Sequence, residues 1–411
     1  MASGSESYFS IKMTRFLMLL AGIWAAENKR EQTLLKWILY YSAVAMIIAI
    51  ATTAVDFYFA LDDFYDATYN ACALMPVVAC FLKITGFLTR RSMVLQIIRY
   101  TRDNFWDREY DEFGKEILRK TDRKGILLIC SFAFFVCSTC ICYITTPLIE
   151  NIGKNDSDRI LAFHVWLDVP TGETPYYEIF SITQAFSCVH SGVCFCCFDS
   201  LFCMLNMHVA AQFKILQHQI ATICDASDFR KATAFGLENE SFCIDDHSDD
   251  CYEKLKNCVQ KHHALIRYVE DLEKLFTFVM LGQLVVSSVL LCTAGFQEQA
   301  TGFRRLIFVA HTMASMFQLL VITVTADEII VESGRVGLAA YVSFWNYLPY
   351  DFEGKKFREG LVMIMRRSQK PCCLTAGKFF PVSLETFTKV ITTSMSYFTV
   401  LRQMEEDIST N

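Results

Sequence analysis

Seven stretches of this sequence are each long and apolar enough to cross a bilayer, where about 20 residues of helix span roughly 30 Å of hydrocarbon. They cover residues 35–59, 71–89, 125–149, 178–210, 275–296, 306–326 and 379–401. Backbone N–H and C=O groups find no water inside lipid, so segments of this kind fold as helices that satisfy their own hydrogen bonds. The predicted fold is therefore all-α, a seven-pass transmembrane helical bundle. Composition points the same way, with 53% hydrophobic residues, 35 Phe and only 7 Pro in 411 residues and a mean hydropathy of +0.29; soluble domains are less apolar. Pro76 is expected to kink the second helix, and the fourth is too long for the bilayer and is expected to run on into the cytoplasm.

Orientation follows from the connections, because Lys and Arg accumulate on the cytoplasmic side. Of the 38 Lys and Arg residues, 31 fall in the N-terminal segment and in the links 90–124, 214–274 and 335–378. Lys154, Arg159, Arg304, Arg305 and Arg402 lie on the other side, and Lys83 and Lys389 inside spans. The N-terminus is thus expected in the cytoplasm and, after seven crossings, the C-terminus outside. Residues 1–10 are polar and lack a basic n-region, so the first span is expected to direct insertion without a cleaved signal; residues 15–26 are expected to form a short inner helix. The chain then divides into a cytoplasmic N-terminus (1–34), spans one to four (35–210) with an extracellular loop (150–177), cytoplasmic helices (211–274), spans five and six (275–326), cytoplasmic anchor helices (327–378), a last helix (379–404) and an extracellular tail (405–411).

In the inner links Leu255, Val259, Leu265, Val269, Leu272 and Leu275 recur at helical spacing among charges, as do Phe357, Leu361, Ile364 and Met365. Helices of this pattern pack on one another or on neighbouring subunits, and they read as an assembly platform. Residues 229–250, acidic and Ser-rich, are expected to be a flexible link. Asn155-Asp156-Ser157 is a glycosylation sequon in an outer link, whereas Asn239-Glu240-Ser241 lies in an inner one and is expected to stay unmodified.

Several chemistries find no support. Cys194, Cys196 and Cys197, and likewise Cys137, Cys140 and Cys142, sit inside spanning runs without the spaced His and Cys partners of a zinc site, so they are expected to pack as small apolar residues and no metal or cofactor is expected. His262, His263 and His247 lie isolated on inner helices and are expected to be solvated. No nucleophile elbow, phosphate loop or paired-carboxylate arrangement is present, and basic and aromatic residues are not interleaved as nucleic-acid binding requires, so neither an enzyme nor a nucleic-acid partner is expected. Lys83 and Asp199 are intramembrane charges that could pair, although snorkelling toward the inner surface is the plainer expectation.

The last span differs from the others. Thr392, Ser396, Thr399 and Gln403 fall at i, i+4, i+7 and i+11, a single stripe on a helix. Lipid gives nothing to such a stripe, so it is expected to face protein or water; the alternative is that its hydroxyls bond back to carbonyls one turn earlier or hold helices together. Lys389 heads the stripe and is expected to turn away from any conduit or to pair with Glu385.

Together with the preceding PCCLTAGKFFPVSLETF (371–387), the run SMSYFTVLR (394–402) resembles the C-terminal signature of insect odorant receptors. The resemblance implies a subunit of a seven-pass, odorant-gated cation channel at the plasma membrane of olfactory neurons, assembled with a shared co-receptor, probing small-molecule odorants and lining its pore with the last helix. A short fourth-to-fifth link and the ending SYFTVLRQM suit an odour-tuning subunit and not the co-receptor. Alignment of that ending with the family pattern puts Val400 and Met404 at a hydrophobic constriction and Gln403 beside it. The family's pocket lies in the outer half of the bundle, where this chain offers Leu74, Val78, Cys140, Tyr143, Ile144, Tyr177, Phe180, Thr183, Phe186, Phe308, His311, Thr312 and Ser315, with His311 and Tyr143 as polar handles. A gustatory-type receptor and a G-protein-coupled receptor are the alternatives. The second requires the opposite orientation, and this chain lacks both the Asp-Arg-Tyr motif after the third span and the cysteine in the link 151–177 that such receptors use.

Overall fold

The structure, a computed structural model, describes residues 8–24, 28–62, 64–163, 169–223, 241–297, 304–343, 345, 348 and 350–410. These residues fold almost entirely into helices. α1 (Phe9–Leu20) lies along the bundle and buries Ser10, Ile11, Thr14 and Met18 at helical spacing. It begins six residues before the helix expected over 15–26, because the Asp122 carboxylate accepts from the backbone N–H and hydroxyl of Ser10 at 2.9 and 2.6 Å and so serves donors that a helix start leaves unpaired. It ends at Ala21–Gly22, where Gly22 adopts φ +77° and its Cα approaches the Leu35 carbonyl too closely for a side chain.

Among the described residues, six helices are long and apolar enough to cross a membrane. They are α2 (Lys29–Phe59), α3 (Phe64–Thr89), α5 (Glu112–Glu150), α6 (Tyr176–Ala221), α7 (Ser241–Gln297) and α8 (Arg304–Val342); between α3 and α5 lies α4 (Arg91–Thr101), followed by a π-helical turn at Arg102–Trp106. Pro76 and Pro147 are accommodated inside α3 and α5. α6 runs through the centre of the bundle and packs on α1, α5, α7 and α8. Residues 241–250, expected in a flexible link, are the first turns of α7; residues 224–240, which include Asn239, lie outside the described residues.

One end of the bundle carries the loop 151–175, hereafter the loop end. The other, the platform end, carries α4, the N-terminal half of α7 and α9 (Phe352–Ser368), which buries Phe357, Leu361 and Ile364 against α7 and α8. His262 is buried here, its ring edge-on to Phe213 at 6.3 Å, which corrects the expectation that it is solvated. His247's side chain lies outside the described residues. Burial, with Arg367 and His263 nearby, pushes the His262 imidazole down from 6.5 to about 4.

The last 40 residues correct a boundary. Residues 379–383, expected to open the last helix, belong to a hairpin. β1 (Thr375–Ala376) pairs antiparallel with β2 (Phe380–Pro381) around a turn in which Gly377 and Lys378 both have positive φ, as a type I′ turn requires. Pro381 has no N–H to donate and disfavours helix at the residue before it. Only at Leu384 does α10 (Leu384–Thr410) begin, with Ser383 Oγ accepting from the Thr386 N–H at 3.4 Å. The hairpin is fastened to α7: Gly377 N–H donates to the Thr277 carbonyl at 2.9 Å, and Thr375 Oγ1 to Glu273 at 2.7 Å. α10 continues through residues 405–410, which were expected as a tail. Its polar stripe keeps it below the hydropathy of the other six.

Candidate functional site

A cavity of 830 Å³ opens between α2, α3, α5, α6 and α8 in the loop-end half of the bundle. Aromatic and aliphatic groups make most of its wall: Ile48 on α2, Pro76 and Val77 on α3, Val136 and Tyr143 on α5, and Phe180, Phe186 and Phe195 on α6. No Asp, Glu, Lys or Arg lines it among the described residues.

Its polar groups are few and oriented. Tyr143 Oη and His311 Nδ1 are 3.4 Å apart, and the Phe163 ring stacks on Tyr143 at 5.5 Å. Phe163 is held there by Gln184, whose amide accepts from the Phe163 N–H at 3.1 Å and donates to its carbonyl at 2.6 Å. Asn151 secures the same loop by accepting from Ile160 N–H at 2.8 Å while donating to the Ile160 carbonyl and Tyr177 Oη. Further along, the Tyr41 ring lies edge-on to His190 at 5.6 Å. Thr52 and Thr53, also in the lining, turn their hydroxyls back onto carbonyls of α2.

Of the residues predicted from the sequence, Cys140, Tyr143, Phe180, Thr183, Phe186, His311 and Ser315 lie together on this wall, whereas Leu74, Val78, Ile144, Tyr177, Phe308 and Thr312 do not. Phe308 is buried with Cys72, Leu290 and Ala294. Tyr177 lies under the Arg159 guanidinium at 5.3 Å and accepts from Asn151. The α2 wall was missed, as were Gln184, Ser187, His190, Ser191 and Phe195. Gln184, Ser187 and Ser191 fall on one helical face inside an apolar run, and that was a signal available in the sequence. α2 offered none, being apolar on every side.

α10 presents the second feature. Its packed face carries Ser394, which donates to the Ser288 carbonyl of α7 at 3.4 Å, and Phe398, whose ring covers Gly295. Thr392, Ser396, Thr399 and Gln403 point away from the bundle and are exposed, as is Val400 at 52%. The hydroxyls of Thr392, Ser396 and Thr399 bond to carbonyls three or four residues back. Lys389 pairs with Glu385 at 2.6 Å on the surface. Met404's side chain lies outside the described residues. Asn155 is exposed and precedes the short 3₁₀ turn Asp156–Asp158 without a side-chain capping bond.

Lys83 and Asp199 do not snorkel. Their side chains are each 1% exposed, and Lys83 Nζ donates to both Asp199 oxygens at 2.9 and 2.8 Å. Mutual neutralisation with bidentate geometry removes the need to reach water.

A family profile described as 7tm Odorant receptor matches residues 63–395. Odorant receptor 13a of Drosophila melanogaster is 24% identical, over 93% of this chain and 91% of the relative. Odorant receptor Or2 of Anopheles gambiae is also 24% identical, over 71% of this chain and 72% of the relative. The fold is that of a solved structure, the insect olfactory receptor OR5 from Machilis hrabei in complex with eugenol, with a TM-score of 0.79, 16% identity and coverage of 96% of this chain and 97% of that one.

Proposed function

This chain belongs to the seven-transmembrane odorant receptor family, and on that premise we propose that it is an odour-tuning subunit that takes small uncharged volatiles into the cavity and, with the family's co-receptor, opens a cation-permeable channel. It is a multi-pass membrane protein and a receptor, not an enzyme.

The observation that carries the ligand reading is the uncharged wall. A cavity of 830 Å³ is of the size that encloses small organic molecules. A carboxylate or ammonium entering it would shed its hydration with no countercharge in return. Alcohols, ketones, esters and phenols lose far less and can meet the Tyr143–His311 pair, which both donates and accepts. Cys140, Tyr143, Phe180, Thr183, Phe186, His311 and Ser315 are the contacts of this reading.

The exposed face of α10 supports the channel reading, since in a single subunit it has nothing to pack on. In an assembly it lines the conduit, with Thr392, Ser396 and Thr399 along the wet path, Val400 and Met404 at the constriction and Gln403 beside it. The orientation is N-terminus in the cytoplasm, loop 150–177 outside, and α4, α7 and α9 below a plasma membrane as the anchor. Glycosylation of Asn155 tests it: an endoglycosidase shift that survives Asn155→Gln and disappears with Asn239→Gln would reverse the topology.

Co-expression with the co-receptor in cells tests the function. Neutral six- to ten-carbon alcohols, ketones and esters should evoke cation current that requires both subunits, while carboxylates and amines of equal length evoke at least tenfold less. A response abolished by G-protein inhibitors, or carried equally by the charged compounds, would overturn it.

A further inference from the structure

On α6, Phe195 is the cavity-lining residue nearest the platform end. Behind that ring sits Lys83, its Nζ 4.5 Å from the ring centroid, with both donors to Asp199 described above. A cation held at this distance favours the rotamer that turns the ring's face toward it. The ammonium cannot drift, because Asp199 fixes it and is itself fixed by a hydrogen bond from Gln318 Nε2. Gln318 Oε1 accepts from Gln283 Nε2 at 2.7 Å, and Gln283 also donates to Ser287 Oγ at 2.8 Å. The next residue, Ser288, receives the Ser394 hydroxyl of α10 at its carbonyl.

Four helices, α3, α6, α8 and α7, thus meet in one buried network with the cavity at one end and the α10 contact at the other. Stability alone does not account for it. A buried ion pair is commonly no better than well-packed apolar side chains of the same volume, and each charge is costly to place in a membrane. What such a pair supplies is fixed geometry.

We propose that Lys83 and Asp199 are positioning residues: they set the face that Phe195 presents to a bound odorant and, through Gln318 and Gln283, tie that wall to the part of α7 against which α10 packs. The proposal rests on the odorant reading of the cavity. An occupant that tilts the Phe195 ring breaks its match to the fixed ammonium, and the hydrogen-bonded side chains carry that strain to α7.

Two variants separate the arms. Lys83→Met with Asp199→Leu removes both charges at similar volume and strands neither; Gln283→Leu cuts only the far side. Cells expressing each with the co-receptor are exposed to 1-octanol, 2-heptanone, ethyl hexanoate and eugenol, and current is normalised to surface receptor. The charge-free pair should reorder the half-maximal concentrations, moving at least one odorant tenfold against another. Gln283→Leu should keep the order and lower the maximal current at least threefold. An unchanged order in the first variant, an unchanged maximum in the second, or losses that only follow surface density would overturn the proposal. If the first variant fails to reach the surface, Lys83→Gln with Asp199→Asn replaces it under the same criteria. A readout without odorant runs on purified receptor: N-ethylmaleimide labelling of Cys196, 5% exposed and adjacent to Phe195 in sequence, should rise several-fold in the charge-free pair and not in Gln283→Leu. Unchanged labelling would count against the positioning. Silence of the wild type to the whole panel together with raised Cys196 labelling would instead fault the odorant reading and leave the positioning standing.

Discussion

The two halves of α6 are built to opposite rules. From Tyr176 to Val193 no residue is buried, whereas from Cys194 to Phe213 every residue but Phe195 is. The first half borders a hollow; the second is gripped on all sides, Phe202 for example packing edge-on against Phe276 at 4.9 Å. A helix cannot be loosely and tightly held along the same face without a boundary, and here the boundary is one aromatic ring that belongs to both regions. The hollow half therefore leaves room beside it while the packed half holds its shape. Tuning and scaffolding are separated along one element instead of being divided between domains.

Substitutions on either side of Phe195 sharpen that contrast. Phe202→Ala, in the packed half, should cost about 3 kcal/mol or more through the cavity it leaves, read as a lowered thermal midpoint in detergent, while Phe186→Ala in the hollow half should stay within about 0.5 kcal/mol. Equal losses would erase the distinction. The packed side also predicts a pH dependence at the platform. His262 folds with its pKa at about 4 against an ordinary 6.5, so the unfolded chain binds more protons between those values. Its contribution is complete above about pH 6.5 and is lost as pH falls toward 4, on the order of 2 kcal/mol; thermal melts of His262→Gln should lack that slope. In the hollow half, Tyr143→Phe and His311→Phe should leave melting unchanged and raise the half-maximal concentration of oxygen-bearing odorants about fivefold, the value of roughly one hydrogen bond. A hydrocarbon odorant should respond as before. The smallest effect on stability belongs to Val400→Ser, which alters an exposed side chain. Its expected outcome is raised basal current or changed ion permeability with the odorant order intact, measured with the matching substitution in the co-receptor so that unchanged subunits do not mask it.

The sequence showed the helices more clearly than the surfaces between them. Length and apolarity sufficed for the spans, and the excess length of the fourth was visible because a bilayer has a fixed thickness. Periodicity failed on α2, where one face meets lipid and another a cavity lined like lipid, so Ala45, Ala49 and Thr52 carry no mark of their position. Lys83 and Asp199 are 116 residues apart, and nothing local in either one distinguishes pairing from snorkelling. The hairpin was different: Gly377 and Pro381 announced a turn, but Phe379 and Phe380 beside them read as the start of an apolar helix. For the cavity, Phe180, Phe186, Tyr143 and His311 could be named from the chain, whereas Tyr41 and Phe195 were not, and the clamp of Gln184 on Phe163 depends on a loop conformation that no pattern encodes.

The fastening of the β1–β2 hairpin to α7 makes α10 a cantilever. Its root is fixed by Gly377 and Thr375, and its contact with α7 continues through Ser394 and Phe398. Beyond them the helix is an overhanging beam. The overhang runs from Phe398 to Thr410, some 18 Å at about 1.5 Å per residue, so a pivot of only about 5° at Phe398 would sweep its end about 1.5 Å. Small strains at the root become larger excursions along the overhang, and the overhang carries Val400 and Gln403.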